Sequence, residues 1–368
     1  MKILLTLLSV MILATPVSSC SKNNGNSAVD GWEDMFDKDD NDGNGEVEET
    51  HFKMRGLVLG WSEVCNPEKI DYIKIASENG INTFSIYNAP RPSETWDKFA
   101  AKCKAAGIDL EFEEHMMSFL LPRDYFNTNP EYFRMDANGN RVKDANGCPS
   151  SEGALAIVHE NAIRIGRNYR STNNKYYFWL DDGGDICHCP KCRHLNAAEQ
   201  ALIFENEVIS ALKEINPDAT LAHLCYDNTL DAPKQVKPHE DIFLEFAPFY
   251  RNWSEPLTNK AAKGRTGLSH QDYMRALSEN LKVFPKETAQ VLEYWMDESL
   301  FCGWDPNNLV KLPWNKNVFL SDINTYASYG IKNITCYAAY IGPDYVDKFG
   351  DVSFLSEYGQ GLLNYGKK

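Results

Sequence analysis

Four acidic residues stand where short apolar runs end or are interrupted. Asp181 and Asp182 end one run, and Glu245 and Glu293 each interrupt another. A carboxylate inside an apolar strand is costly to bury alone, so it is either paired or functional. Hydrolysis of a glycosidic bond needs two carboxyl groups, one protonated and one ionised. We take Asp182 as a candidate general acid/base, Glu293 as nucleophile or base, and Asp181 and Glu245 as contacts to the substrate or the transition state. Glu245 is the alternative for either of the two catalytic roles.

Aromatic and hydrogen-bonding side chains follow the same runs. An aromatic ring can stack on the C–H face of a sugar, while carboxylates, Arg and His bind its hydroxyl groups. This mixture predicts a carbohydrate-binding site. The candidate substrate-binding residues are Trp61, Tyr87, His115, Tyr250, Arg251, Trp253, Tyr294, Trp295 and Asp297.

Other chemistries lack their residues. The first predicted strand carries no His-x-His pair, and the chain has no Gly-x-Ser-x-Gly elbow and no phosphate-binding loop. His115 stands apart from other ligand types, so we expect a hydrogen-bonded histidine and not a metal ligand. Glu113, Glu114, Asp185 and Glu298 are expected to be loop charges or partners of nearby arginines. No cofactor is predicted.

A cysteine cluster, Cys187-x-Cys189-x-x-Cys192, directly follows the acidic pair. Disulfides are the favoured interpretation, with Cys148 of the preceding loop as a partner. An exported protein lies in an oxidising compartment, where cysteine pairs form disulfides. The alternative is a structural zinc ion held by thiolates. Either way the cluster would hold the loop after the fourth strand in place beside the site.

The chain begins with a targeting segment. Lys2 precedes an apolar run that is too short to span a bilayer, and small residues precede Cys20. We expect residues 1–19 to be a lipoprotein signal peptide and Cys20 to be lipidated. Ser21 then favours the outer membrane of a Gram-negative bacterium, on either the cell surface or the periplasmic face.

An acidic segment follows the lipidated cysteine. Residues 30–49 hold ten acidic residues and one lysine, so they supply −9 of the chain's net charge of −15. Such a segment cannot bury enough apolar surface to order itself, so residues 20–50 are predicted to be a disordered tether. Nothing basic and aromatic is interleaved as nucleic-acid binding requires.

The elements that position these residues are eight strands alternating with helices over residues 51–368. N-cap signals for helices stand at Asn66, Ser93 and Ser269. Eight such units favour one closed (β/α)8 barrel, a TIM barrel, over an open sheet, which would carry a Gly-rich phosphate turn after its first strand. A long loop follows strand three and the Cys-rich loop follows strand four, and sites in this fold form at the strands' C-terminal ends. The predicted strands are Leu57–Trp61, Thr83–Tyr87, Ile108–His115, Tyr176–Asp181, Thr220–Tyr226, Ile242–Pro248, Gln290–Asp297 and Ile334–Tyr340.

Several motifs resemble the bacterial family numbered domain of unknown function 4838, over most of residues 55–345. The resemblance implies a glycoside-hydrolase-like barrel in an exported protein. By analogy with retaining glycosidase barrels, it places the acid/base on strand four and the nucleophile on strand seven, although Asp182 is shorter than the usual Glu. The motifs are Glu111-x-Glu113-x-His115, Leu121-Pro122-Arg123, Phe133-Arg134, Asp182-Gly183-Gly184-Asp185 with the three cysteines, Glu245-x-x-Pro248-x-x-Arg251, and Glu293-Tyr294-Trp295.

Together these patterns predict a surface or periplasmic lipoprotein that hydrolyses a polysaccharide or glycan. The alternative is a barrel that binds glycans without cleaving them, since both need the same aromatic and polar mouth. The expected partners are a carbohydrate and, through the lipid on Cys20, a membrane. The sequence does not predict an oligomeric state.

Overall fold

The structure is a computed structural model, and it describes residues 50–89 and 93–367. The predicted signal peptide, Cys20 and the tether up to residue 49 lie outside these residues. Within the described part, no helix combines the length and apolar character that crossing a membrane requires.

The described residues form nine parallel strand segments in one sheet, in the order β3-β2-β1-β9-β8-β7-β6-β5-β4. The third predicted strand is divided into β3 and β4, with Phe112 between them. Because β3 pairs with β2 and β4 pairs with β5, the sheet closes through this break. The predicted (β/α)8 barrel is therefore confirmed. The segments are β1 (Met54–Gly60), β2 (Thr83–Tyr87), β3 (Asp109–Glu111), β4 (Glu113–His115), β5 (Lys175–Trp179), β6 (Thr220–Cys225), β7 (Ile242–Phe246), β8 (Gln290–Glu293) and β9 (Asn333–Tyr337).

Helices cover the outside of the barrel. Ser93 and Ser269 act as N-caps as predicted, accepting hydrogen bonds from Trp96 N and Asp272 N. The predicted start at Asn66 is wrong, because Asp71 accepts from Lys74 N and caps that helix instead. The helices are α1 (Trp61–Val64), α2 (Tyr72–Asn79), α3 (Glu94–Ala105), α4 (Met117–Leu120), α5 (Glu152–Asn168), α6 (Ala197–Lys213), α7 (His270–Asn280), α8 (Ser299–Cys302), α9 (Lys316–Ser328), α10 (Pro343–Phe349) and α11 (Ser353–Leu363).

The predicted long connections are present. Residues 116–151 join β4 to α5, and residues 180–196 join β5 to α6 and carry the cysteine cluster. Residues 226–241, between β6 and β7, contain no α-helix.

Side chains alternate between the barrel interior and the helix layer along each strand. On β5, Tyr177 and Trp179 belong to the interior cluster, and on β8 Leu292 belongs to it. Glu293, the next residue after Leu292, therefore points to the helices. This alternation decides which acidic residues can reach the mouth.

Candidate functional site

The mouth of the barrel is lined by aromatic rings from five strands and the loops after them. Tyr294 and Tyr337 stack with ring centroids 5.3 Å apart and planes 9° apart. Tyr87 lies 6.0 Å from Tyr337, and Phe249 lies 4.8 Å from Tyr294 and 5.6 Å from Tyr226. All but Tyr294 are half-buried, so these side chains are partly exposed to solvent. We call these five rings the aromatic bowl.

A cleft opens between the loops after β5 and β6. His115, Asp181, Tyr226 and Asp227 are among its lining residues. Asp182 stands at its exposed edge, where the Tyr226 hydroxyl donates to Asp182 Oδ1 at 3.2 Å. The His115 Nδ1–H donates to the Leu180 carbonyl oxygen, which leaves Nε2 facing Asp182 Oδ1 at 4.0 Å.

Asp227 is the second carboxyl group of this cleft. Its backbone has a φ of 45°, which lies in the left-handed region that a residue with a Cβ atom adopts only at a cost in free energy. Partial burial, and next the charge of Asp182, raise the pKa of the Asp227 carboxyl. The two carboxyls thus lie close enough to influence each other, with Tyr226 beside both.

Inside the barrel, Glu245 is fully buried. It accepts from Trp179 Nε1 at 2.9 Å and from Gln290 Nε2 at 3.2 Å. Burial raises the pKa of Glu245 to about 8. Glu113 is also buried inside the barrel, contrary to the expectation of a loop charge, and neither of its carboxyl oxygens has a hydrogen-bond partner among the described residues.

Burial, and next the negative charge of Glu245, hold the pKa of Glu113 well above its usual range. Glu113 and Glu245 are therefore two buried carboxyl groups with raised pKa values beneath the aromatic bowl.

The opposite wall of the mouth carries another pair of buried acids. Glu63 accepts from Tyr340 N at 2.8 Å and from the Tyr87 hydroxyl at 3.3 Å. Asp297 accepts from Ser299 N at 3.1 Å. Burial raises the pKa of each carboxyl to about 7. Asp297 is thus near the mouth as predicted, but its carboxylate is closed off from solvent.

Glu293 does not reach the mouth, which corrects its assignment as nucleophile. Its carboxylate accepts from the Tyr326 hydroxyl and pairs with Arg251, on the side of β8 that faces α9. Arg251 also pairs with Asp322 at 2.6 Å, so this predicted sugar contact is structural too. Trp295 points the same way, donating to Asp322 at 3.0 Å.

Two further predicted site residues have structural roles in place of the expected contacts with a substrate. Trp61 is buried against Trp96 and Phe99 of α3, outside the barrel, and not over the mouth. Asp181 lines the cleft, but its carboxylate is bound by the Arg123 guanidinium and the Asn146 N–H. Its geometry assigns it to holding the loop, and not to contacting a substrate.

Tyr250 and Trp253 continue the aromatic surface on the loop after β7. The Tyr250 ring stacks on Tyr226 with centroids 6.3 Å apart. Trp253 packs on Phe249 at 6.2 Å and under the Arg265 guanidinium at 5.5 Å, and its buried indole N–H has no hydrogen-bond partner among the described residues. Both residues keep their predicted place beside the mouth.

Sequence reasoning missed Asp227, Glu63 and Tyr337, and placed Glu113 wrongly. Asp227 did carry a signal, because it directly follows a predicted strand end at Tyr226. The sequence around Glu63 and Tyr337 gave no such signal, because whether a side chain reaches the mouth depends on how the sheet closes.

The four predicted cysteines lie together beside this loop. Their Sγ atoms lie within 4.8 Å of one another, all four side chains are buried, and no disulfide joins them.

A family model described as "Domain of unknown function (DUF4838)" matches residues 51–345. The chain belongs to this family. The match covers the whole barrel up to α10, including every residue of the mouth. No curated protein was found to match the chain.

Solved structures similar to this DUF4838 protein include glycoside hydrolases. An endo-beta-1,4-mannanase from Thermotoga petrophila is 12% identical over 86% of this chain and 78% of that one, with a TM-score of 0.46. A glycoside hydrolase family 5 enzyme from Prevotella bryantii is 12% identical over 86% and 99%, with a TM-score of 0.46. An O-GlcNAc hydrolase from Thermobaculum terrenum is 11% identical over 85% of this chain but only 64% of its own, with a TM-score of 0.43.

At these identities and TM-scores, the likeness adds nothing about the reaction or the substrate.

Proposed function

We propose that this DUF4838 protein binds a carbohydrate at the barrel mouth and hydrolyses a glycosidic bond there. The observation that carries the proposal is the pair Asp182 and Asp227 at one open cleft: the Tyr226 hydroxyl donates to Asp182, Asp227 lines the cleft, and the charge of Asp182 raises the pKa of Asp227. A pair with unequal protonation is what acid–base hydrolysis of a sugar linkage requires.

The environments of the two carboxyls assign their roles. Asp227 is the group whose pKa is raised, by burial and then by Asp182, so it is the member of the pair better suited to donate a proton to the leaving oxygen. Asp182 is the exposed member, and it takes the proton from the water that attacks the anomeric carbon. The bond to the leaving sugar breaks as the water oxygen bonds to that carbon. Solvent exchange then returns a proton to Asp227 and removes one from Asp182.

The aromatic bowl supplies the binding surface. Sugars present C–H faces that pack on aromatic rings, and hydroxyl groups that bind carboxylates and ring nitrogens. The side chains of Tyr87, Tyr226 and Tyr337 are partly exposed at the mouth. In this proposal, His115 Nε2 and the Tyr87 hydroxyl contact hydroxyl groups of the sugar ring.

The test is cleavage across a broad panel of polysaccharides and oligosaccharides. We expect Asp182→Asn and Asp227→Asn each to lower the rate about 10²–10⁴-fold, the usual contribution of acid–base catalysis. Binding should change by less than tenfold. The matched control is Asp218→Asn, an exposed carboxylate just before β6 at the opposite end of the barrel.

Two results would overturn the proposal. Near-normal cleavage by both variants would place the reaction elsewhere. Binding of glycans by the parent protein with no cleavage of any of them would favour a non-catalytic glycan-binding barrel, which needs the aromatic bowl but not the carboxyl pair.

The location is a separate part of the proposal. The small residues before Cys20 support a lipid anchor, which would place the protein at the surface or in the periplasm. A Cys20→Ser variant should lose labelling by palmitate and leave the membrane fraction. Continued labelling of that variant would contradict the anchor.

A further inference from the structure

We propose that Cys148, Cys187, Cys189 and Cys192 bind one structural zinc ion, and that they do not form disulfides. The four side chains come from the two long loops, residues 116–151 and 180–196, and all four are buried. This reverses the preference that the sequence alone suggested.

The distances between the sulfur atoms carry the inference. Cys148 Sγ lies 3.6 Å from Cys187 Sγ, 3.8 Å from Cys189 Sγ and 3.9 Å from Cys192 Sγ. With Zn–S bonds of about 2.3 Å, the edge of a ZnS₄ tetrahedron is about 3.8 Å. A disulfide would bring two of the sulfurs to about 2.05 Å and turn them away from the others.

The surroundings are those of thiolate ligands. The Met135 N–H donates to Cys187 Sγ at 3.3 Å, and an N–H of Arg141 lies 3.9 Å from the same sulfur. A zinc ion with four thiolates carries a net charge of −2, so donors of this kind stabilise it. His188 and His194 are not part of the four-sulfur set.

The backbone around the cluster is also fixed. The Cys192 N–H donates to the Cys189 carbonyl oxygen at 2.9 Å, which forms the tight turn of a Cys-x-x-Cys pair. Gln200 of α6 is buried, accepts from Cys187 N at 2.9 Å and donates to the Cys187 and Cys192 carbonyl oxygens. The backbone of the turn is thus fixed by hydrogen bonds in which no metal takes part.

Four sulfur ligands leave no open position, so the ion would be structural and not catalytic. Its effect would be to tie the two long loops together. The loop of residues 180–196 also carries Asp182, and the Gly184 carbonyl oxygen on it accepts from Asn228 Nδ2 at 3.0 Å. The metal would therefore fix the edge of the cleft without contacting a substrate.

The primary experiment measures the metal content of the full-length protein by inductively coupled plasma mass spectrometry. We expect one zinc per chain. Mass mapping of alkylated, non-reduced protein should find all four cysteines unlinked. Absence of zinc with a disulfide from Cys148 to any of the other three would overturn the proposal, and so would stoichiometric iron in place of zinc.

Variants locate the ion. Cys148→Ser and Cys192→Ser should each lose most of the zinc, whereas Cys103→Ser, a buried cysteine of α3 outside the cluster, should retain it. If zinc remained in both cluster variants, the proposed ligands would be wrong. The metal content of the parent protein decides the case even if a variant fails to fold.

A second experiment measures how accessible the loop is to trypsin, and does not measure the metal. Lys191 and Arg193 are exposed on either side of Cys192, so both are potential trypsin sites. Removal of zinc by a chelator should expose this segment to cleavage, and added zinc should restore protection. Unchanged protection after complete zinc loss would contradict the role in holding the loop. Neither measurement depends on glycan cleavage, so the two proposals stand or fall separately.

Discussion

Arg251 and Glu293 form an ion pair entirely closed to solvent, with the arginine Nε 3.2 Å from Glu293 Oε1. The pair lies between β8 and α9, where Asp322 binds the other side of the same guanidinium. A carboxylate engaged in this way stabilises the barrel wall and is not available to a sugar.

We therefore expect Glu293→Gln to lower the free energy of unfolding by about 3 kcal/mol. The substitution leaves the buried Arg251 guanidinium with only one of its two carboxylate partners. Folded protein should keep its turnover. Glu279→Gln, which breaks an exposed pair with Lys282, should change stability by less than about 0.5 kcal/mol. Denaturant unfolding measures both. An unchanged unfolding midpoint together with lost turnover would return Glu293 to the catalytic site.

Glu245 predicts a pH dependence of stability. Its pKa rises from 4.5 to about 8 on folding, so the folded state favours the protonated form. The stability linked to this proton is complete below about pH 4.5 and is lost as the pH rises through about 8, with a slope near 1.4 kcal/mol per pH unit for one proton. Glu63 and Asp297 act in the same direction up to about pH 7.

The neutral variant Glu245→Gln should remove one proton from this dependence. Denaturant unfolding at pH 5, 6, 7 and 8 should therefore give a shallower decline for the variant than for the parent. The same decline in both proteins would mean that Glu245 is not the group that titrates.

Tyr337 offers a test of the aromatic bowl. It is half-buried and stacks on Tyr294, so removing its ring opens the surface on which a sugar would pack. Tyr337→Ala should weaken glycan binding at least about tenfold, equivalent to about 1.4 kcal/mol. Tyr337→Phe should keep most of the affinity if the ring and not the hydroxyl group makes the contact.

The control for that experiment is Tyr329→Ala, which changes a tyrosine at the C-terminal end of α9, away from the mouth. Isothermal titration with the best ligand of the panel measures all three variants. Equal affinity in Tyr337→Ala and the parent would exclude the bowl as the sugar surface.

Asp181 should behave differently from its neighbour Asp182. Its carboxylate binds Arg123 and the Asn146 N–H, so Asp181→Asn loosens the loop and should cost about 1–3 kcal/mol of stability. Turnover should fall less than in Asp182→Asn. Arg123→Gln should have a similar effect, and the double variant should show less than the sum of the two costs because they share one contact. Additive costs would contradict the shared contact.

The sequence alone determined the fold. Each of the eight predicted strands overlaps an observed one, because uniformly apolar runs separated by capped helices leave few other arrangements. It also located the acidic pair and the cysteine cluster on one loop after β5. The sequence did not predict that the third strand is divided at Phe112. That division arises because β3 pairs with β2 while β4 pairs with β5 where the barrel closes.

Only the tertiary structure decided which acidic residues belong to the mouth. Both faces of a barrel strand are apolar, since one packs in the interior and the other against helices, so the pattern around Glu245 resembles that around Glu293. Closure of the sheet turns Glu245 inward and Glu293 toward α9. It also brings Asp227 beside Asp182, 45 positions earlier in the chain, because adjacent parallel strands end at the same rim. Proximity of this kind depends on sheet order and loop path, which no local sequence pattern encodes.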